Sequence, residues 1–230
     1  MEEEFENQFS QVASLLGDKA RAVMLWRLLD GRSYTAMELS TCADISAQST
    51  SNHLTKLLDA KIIAVEKQGR HRYYRFANPE IAQVIESMAS LVPLNKPSTK
   101  TKQIEFNEFV YARTCYDHLA GKIGVGITNS LTKGGIIQTY EKGYIVTSSG
   151  KDWFQSMGIN VDEVKLQKRS FAHQCLDWSE RKHHMAGALG ASLLNKMIDN
   201  DWIRRKKNSR EVIITLSGEI ELRNRLHLKI

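Results

Sequence analysis

Ser46-Ala47-Gln48-Ser49-Thr50-Ser51-Asn52-His53-Leu54-Thr55-Lys56-Leu57-Leu58 is the stretch on which the reading of this chain turns. Ser46 is a good helix cap, and at about 100° per residue Ala47, Thr50, Leu54, Leu57 and Leu58 gather on one face of a helix over residues 47–60. Gln48, Ser49, Asn52 and Lys56 fall on the opposite face, flanked by His53 and Thr55. Those residues carry small hydrogen-bonding groups and one cation. Such groups can hydrogen-bond to base edges, whereas carboxylates would be repelled by the phosphates on either side.

Downstream, Ile62-Ile63-Ala64-Val65 and His71-Arg72-Tyr73-Tyr74-Arg75-Phe76 are strand-like runs joined through Gln68-Gly69-Arg70. They predict a hairpin with cations at its tip. Residues 45–76 hold six Lys/Arg against two acids, although the first 95 residues hold ten against twelve. The cations are therefore concentrated on this one element pair. Upstream, Phe5, Phe9, Val12 and Leu16 mark a first helix ending at Gly17, and Asp18 caps a second that stops at Gly31. Thr35 and Glu38 have the spacing of a capping box and open a short third helix through Ala43. Helix, turn, helix and basic hairpin make a winged helix, and Arg70 and Arg72 on its wing suit phosphate backbone or minor groove.

Three runs, Glu38-Leu39-Ser40 to Asp44-Ile45-Ser46, Ser49 to Leu57, and Gly69-Arg70-His71-Arg72-Tyr73-Tyr74-Arg75, resemble the ArsR/SmtB family of winged-helix regulators. The resemblance covers the first 40% or so of the chain. It implies a bacterial-type transcriptional repressor whose fourth helix enters the major groove and whose first and last helices build a homodimer. It implies that Gln48, Ser49, Ser51, Asn52, His53 and Lys56 make base and phosphate contacts, with Arg70 and Arg72 on the wing. The last helix of the module, after Asn78-Pro79, has Ile81, Val84, Ile85 and Met88 on one stripe. That stripe suits a two-fold helix pair, and it also suits burial within one subunit.

The resemblance fails at the family's metal sites. Only Cys42 remains of the third-helix cysteine pair, with Ser40 in the other place, and a lone thiolate is a poor zinc or arsenic site. Cys42 is expected to be a small buried residue. The last helix offers Asn78, Glu80 and Glu86 but no histidine.

Val92-Pro93-Leu94-Asn95-Lys96-Pro97-Ser98-Thr99-Lys100 marks a boundary. The expected organisation is a DNA-binding and dimerisation domain at 1–92, a linker at 93–104, and a sensor or interaction domain at 105–230 with repeats at 105–160 and 161–230. His118-Leu119-Ala120-Gly121-Lys122-Ile123-Gly124-Val125 is echoed by His184-Met185-Ala186-Gly187-Ala188-Leu189-Gly190-Ala191, 66 residues on. Tyr144 to Gly150 is echoed by Val212 to Gly218, 68 residues on. Two echoes in the same order indicate an internal duplication. Each repeat is read as a long helix, a glycine-bearing helix, a hairpin and a short helix. The fold class is thus mainly α with small β-wings: a winged helix-turn-helix followed by two winged-helix-like repeats.

Glycine inside a helix costs about 1 kcal/mol relative to alanine, so Gly121, Gly124, Gly187 and Gly190 need a reason. Either the repeat helices pack tightly on each other or space is left for a ligand. Cys115 and His118, at i and i+3, would share a helix face. If the repeats pair about a pseudo-two-fold axis, Cys115 and Cys175 could meet at its centre, with His173, His183 and His184 nearby in sequence. Cys115, His118, Cys175 and His184 are taken as the candidates. These four are the possible sensor. A soft-metal site, a redox switch, an organic-ligand pocket and inert buried thiols all remain open, and so does the identity of any metal or small-molecule effector. No cofactor is required, and the chain is not expected to be an enzyme. A thiol enzyme using Cys115 and His118 would lack an oxyanion or phosphate loop.

Net charge is +6, which favours a polyanionic partner, here double-stranded DNA. With 42% hydrophobic and 25% charged residues the composition is that of an ordered globular protein. The acidic start Met1-Glu2-Glu3-Glu4, three widely spaced cysteines and no long apolar stretch predict a cytoplasmic protein with reduced thiols and no membrane partner. The alternative function is a DNA-binding protein without ligand, whose second half recruits partners.

Overall fold

The computed structural model describes residues 2–92 and 104–230, so all but the last residue of the expected linker 93–104 lies outside the described residues. The chain divides into two compact units, Met1–Met88 and Ala89–Ile230.

The first unit runs α1 (Glu2–Gly17), α2 (Lys19–Leu28), β1 (Tyr34–Thr35), α3 (Ala36–Ala43), α4 (Ala47–Asp59), β2 (Ile63–Gln68), β3 (His71–Phe76) and α5 (Pro79–Ala89). Its helices start where their caps do. The Arg21 N–H donates to the Asp18 carboxylate at 2.9 Å, and the Ser49 N–H to Ser46 Oγ at 3.2 Å. At Thr35 the box closes both ways, with the Glu38 N–H donating to Thr35 Oγ1 and the Thr35 N–H to Glu38 Oε2. Leu25 and Leu28 of α2, Leu39 of α3, and Leu54 and Leu57 of α4 meet in the core. The sheet is antiparallel in the order β1-β3-β2. Strand β1 is two residues long and pairs Tyr34 with Tyr74, so no alternation in sequence could have announced it.

Helix α1 behaves differently: none of its residues is buried. Phe5 and Phe9 are 69% and 67% exposed, and Val84 and Met88 of α5 are also exposed. Cys42, expected inside, is exposed as well. Ser40, beside it in the family's metal motif, is buried and donates to the Ile45 carbonyl at 2.7 Å, tying the turn between α3 and α4.

The second unit contains two equivalent runs. The first is α6 (Ile104–Tyr111), β4 (Arg113–Cys115), β5 (His118–Ala120), α7 (Gly121–Lys133), β6 (Ile137–Tyr140), β7 (Gly143–Val146) and α8 (Ser148–Ser156). The second is α9 (Val161–Lys165), β8 (His173–Leu176), β9 (His183–Ala186), α10 (Gly187–Asp199), β10 (Ile203–Arg205), β11 (Val212–Ile214) and α11 (Leu216–Leu226). The echoed Thr147 and Thr215 cap α8 and α11 in the same way, accepting from Gly150 N and Gly218 N.

Each run opens on a short helix, α6 or α9, where a long one was expected, and adds a hairpin before the glycine-bearing helix. Between β4 and β5 the chain turns in two residues, with Tyr116 at φ 57°, and three-residue strands are too short to show a period of two. Cys115 and His118 are consequently cross-strand partners, not neighbours on a helix face. The second hairpin pairs Cys175 with His184 in the same sense.

The runs also exchange strand edges. Gly143 of β7 pairs with His173 of β8, while Arg113 of β4 bridges to Glu211 beside β11, so each run's wing leans on the other run's leading hairpin. One apolar core fills both, including Ile123 and Ile127 from α7, Leu189 and Leu193 from α10, and Trp202 and Leu222. Among the described residues, no helix is long and apolar enough to cross a membrane.

Candidate functional site

In the first unit, α4 buries Thr50, Leu54 and Leu57 and leaves Gln48, Ser51, Asn52 and Lys56 exposed. Ser49 is half-buried. His53 is also half-buried, because its Nδ1 lies 3.1 Å from the Arg21 guanidinium. A guanidinium only donates, so Nδ1 accepts and the ring proton sits on Nε2. Arg21 in turn donates to the Leu15 and Ser14 carbonyls at the end of α1, so this histidine and that arginine fix α4 against the first helices. Arg70 and Arg72 are exposed on the β2-β3 hairpin, where Arg72 stands opposite Lys67. Gly69, at φ 57°, makes the turn that presents them.

In the basic turn of the second unit, which carries Arg204, Arg205, Lys206, Lys207 and Arg210, three of the five cations pair within the protein, while Arg205 and Lys207 are exposed. Arg204 pairs with Asp201 at 2.6 Å, Lys206 with Glu211 at 2.5 Å, and Arg210 donates to the Thr114 carbonyl at 2.7 Å.

The four possible sensor residues, far apart in sequence, come together in the second unit. One donor atom from each of Cys115, His118, Cys175 and His184 lies within 4.8 Å of all the others. The two sulfurs are 4.0 Å apart, and His118 Nε2 is 3.1 Å from His184 Nε2. His118 and His184 are buried, as is Cys115, while Cys175 is half-buried.

Each histidine has an aspartate behind it. His118 Nδ1 lies 3.4 Å from Asp117 Oδ1, and His184 Nδ1 lies 3.5 Å from Asp177 Oδ2. Asp177 is wholly enclosed and receives both oxygens' worth of donors: the Arg113 guanidinium at 3.0 Å to each oxygen, Gly121 N at 2.7 Å and Ser179 Oγ at 2.6 Å. Burial pushes its carboxyl up, but the Arg113 charge and these hydrogen bonds more than offset that and hold it at about 2. At Asp117 burial again pushes the carboxyl up, and its hydrogen bonds with His118 and Arg169 prevail, holding it below the usual carboxylate range. Burial opposes protonation of His118, yet its hydrogen bonds to Asp117 and Cys115 raise it.

Glycines let the two runs close on this cluster. A methyl group at Gly124 would sit 2.4 Å from the Leu119 carbonyl oxygen, and one at Gly190 would sit 2.5 Å from the Met185 oxygen and 3.2 Å from His118 Cβ. The helices thus press on strand backbone and on the other run's histidine, rather than on each other. Gly121 and Gly187 are not interior at all, being the first residues of α7 and α10. The space left between Leu119, Gly124, Met185 and Gly190 is about 10 Å³, room for one water and not for an organic ligand.

The sequence supplies the four donors and shows both aspartates without giving them a role. Arg113 escapes a reading of the sequence, because a single arginine in an apolar run carries no pattern.

Over 221 residues the chain is 44% identical to the HTH-type transcriptional regulator YdfF of Bacillus subtilis (strain 168), covering 96% of this chain and 98% of that protein. It is 32% identical over 75 residues to the HTH-type transcriptional regulator KmtR of Mycobacterium tuberculosis, covering 33% of this chain and 57% of that protein. Among solved structures, the homodimeric winged helix-turn-helix DNA-binding domain of Mb0332 from Mycobacterium bovis is similar to 39% of this chain over 82% of its own, at 19% identity and a TM-score of 0.36. Reduced HlyU from Vibrio cholerae is similar over 39% and 93%, at 22% identity and a TM-score of 0.35. No family model matches the chain.

Proposed function

This chain belongs to the HTH-type transcriptional regulators of the ArsR/SmtB winged-helix type, and from that premise we propose that it is a homodimeric repressor whose second unit receives the releasing signal. In this reading residues 1–92 bind DNA and dimerise, 93–104 connect, and 105–230 respond. The observation that carries it is the exposure of Gln48, Ser51, Asn52, Thr55 and Lys56 on α4, with Asp59 as the one acid at the far end of the helix, set beside a hairpin bearing Arg70 and Arg72. Gln48 and Asn52 are placed to read bases. Lys56, Arg70 and Arg72 neutralise phosphate, which adds affinity without sequence information.

Dimerisation is supported by α1, a helix of sixteen residues with no buried side chain and an outward stripe of Phe5, Phe9 and Val12. An aromatic stripe this exposed is what a second copy would cover. A two-fold pair would place two α4 helices on half-sites about one DNA turn apart.

The test is a gel-shift series at several salt concentrations on operator and random duplexes. Arg72→Ala is expected to weaken binding to both and to lower the salt slope by roughly one. Asn52→Ala and Gln48→Ala are expected to lose about 1–3 kcal/mol on the operator and little on random DNA. Equal losses on the two duplexes for all three variants would refute this division of roles.

A further inference from the structure

The geometry points to a binding site for one zinc-class divalent cation at the seam of the two repeats, with Cys115, Cys175, His118 and His184 as its four ligands.

Distances come first. Around a tetrahedral ion with metal–sulfur bonds of about 2.3 Å and metal–nitrogen bonds of 2.0–2.1 Å, the sulfur–sulfur edge is ~3.8 Å and the nitrogen–nitrogen edge ~3.3 Å. The observed edges are 4.0 Å between the sulfurs and 3.1 Å between the Nε2 atoms. Both match within about 0.2 Å, and all four donors lie within 4.8 Å of one another.

The histidine tautomers add an independent argument. An aspartate carboxylate stands beyond each Nδ1, at 3.4 Å for His118 and 3.5 Å for His184, and a carboxylate can only accept. Across 3.1 Å in a buried place, one Nε2–H can donate to the other Nε2 when no ion is bound. With both ring protons on Nδ1, beside the carboxylates, both Nε2 lone pairs become available to one cation. Carboxylate–imidazole pairs are the usual support of metal-bound histidine; Asp117 hydrogen-bonds His118 in this way, and Asp177 stands just beyond hydrogen-bond reach of His184 Nδ1. The donor set, two thiols and two imidazoles, suits zinc-class ions and not magnesium or calcium, which take oxygen.

Each ligand pair comes from one hairpin: Cys115 with His118, and Cys175 with His184. An ion here cross-links the two repeats, and as the metal–sulfur bonds form each thiol gives its proton to solvent. The site owes nothing to the family's third-helix motif, of which only Cys42 persists, in the other unit. Nor does it rest on the DNA-binding reading.

The experiment is titration of the reduced full-length protein with Co²⁺, without DNA. Expected are one equivalent of uptake, the visible absorption of four-coordinate cobalt, a near-ultraviolet thiolate-to-cobalt band, and displacement of both by one equivalent of Zn²⁺. Cys42→Ser should leave the spectrum unchanged, while Cys115→Ser, Cys175→Ser and His184→Gln should lose it. Asp117→Asn keeps all four ligands and should weaken affinity roughly 10- to 100-fold. No uptake by the reduced wild-type chain, uptake without the thiolate band, or a band unaltered in both Cys115→Ser and Cys175→Ser overturns the assignment. Because the wild-type titration decides by itself, a variant that fails to fold does not shield the proposal.

Discussion

Arg113 shows how much one side chain can hold. It is 1% exposed, donates to both oxygens of Asp177, reaches Ser179 Oγ at 3.2 Å and lies over the Trp178 ring at 4.7 Å. Through Asp177 it also fixes the first residue of α7, since the Gly121 N–H donates to the same carboxylate. Removing one member of a buried pair leaves the other charge uncompensated, which is far more costly than the pair is beneficial. Arg113→Ala is therefore expected to destabilise the second unit by about 3–5 kcal/mol in urea unfolding followed by far-ultraviolet circular dichroism. A loss below about 1 kcal/mol, the scale of an exposed ion pair, would contradict the enclosure of Asp177.

Helix α7 illustrates what an element needs beyond propensity. Gly124 lies in its first turns, where alanine would favour the helix, yet any Cβ there meets the Leu119 carbonyl. The backbone approach wins, because a clash with a carbonyl oxygen cannot be relieved by a rotamer change. At Gly17, the end of α1, a methyl group would meet nothing within 4 Å, and its φ is not positive. Opposite outcomes follow from the same substitution: Gly124→Ala should cost about 1–3 kcal/mol, and Gly17→Ala should gain about 0.4–1 kcal/mol. Thermal unfolding of the two variants beside wild type measures both, and a neutral Gly124→Ala would remove the packing account of the echoed glycines.

For the molecule as a whole, the exposed aromatic stripe of α1 is an apolar surface that the single chain leaves uncovered. Burying an aromatic side chain is worth ~1.5–3 kcal/mol, so Phe9→Glu is expected to weaken self-association by roughly 10- to 100-fold. Sedimentation equilibrium over a concentration series reads this directly. Phe9 is 67% exposed in the single chain, so the variant should fold with unchanged circular dichroism. An unchanged association constant would move the dimer contact away from α1.

What the sequence determined by itself was local. Caps at Asp18, Thr35 and Ser46, the two faces of α4 and the hairpin at Gly69 follow from spacings of a few residues, because short-range hydrogen bonding and periodicity are written in the order of the chain. The duplication of the second half shows as self-similarity 66 to 68 residues apart. Tertiary structure decided what depends on approach between distant segments. It set Cys115 across a strand pair from His118 and turned His53 toward Arg21. It also brought Cys175 and His184 to the first pair, with a carboxylate behind each imidazole. Those outcomes come from strand edges exchanged between repeats and from backbones closing over missing Cβ atoms, and neither leaves a periodic trace in one dimension.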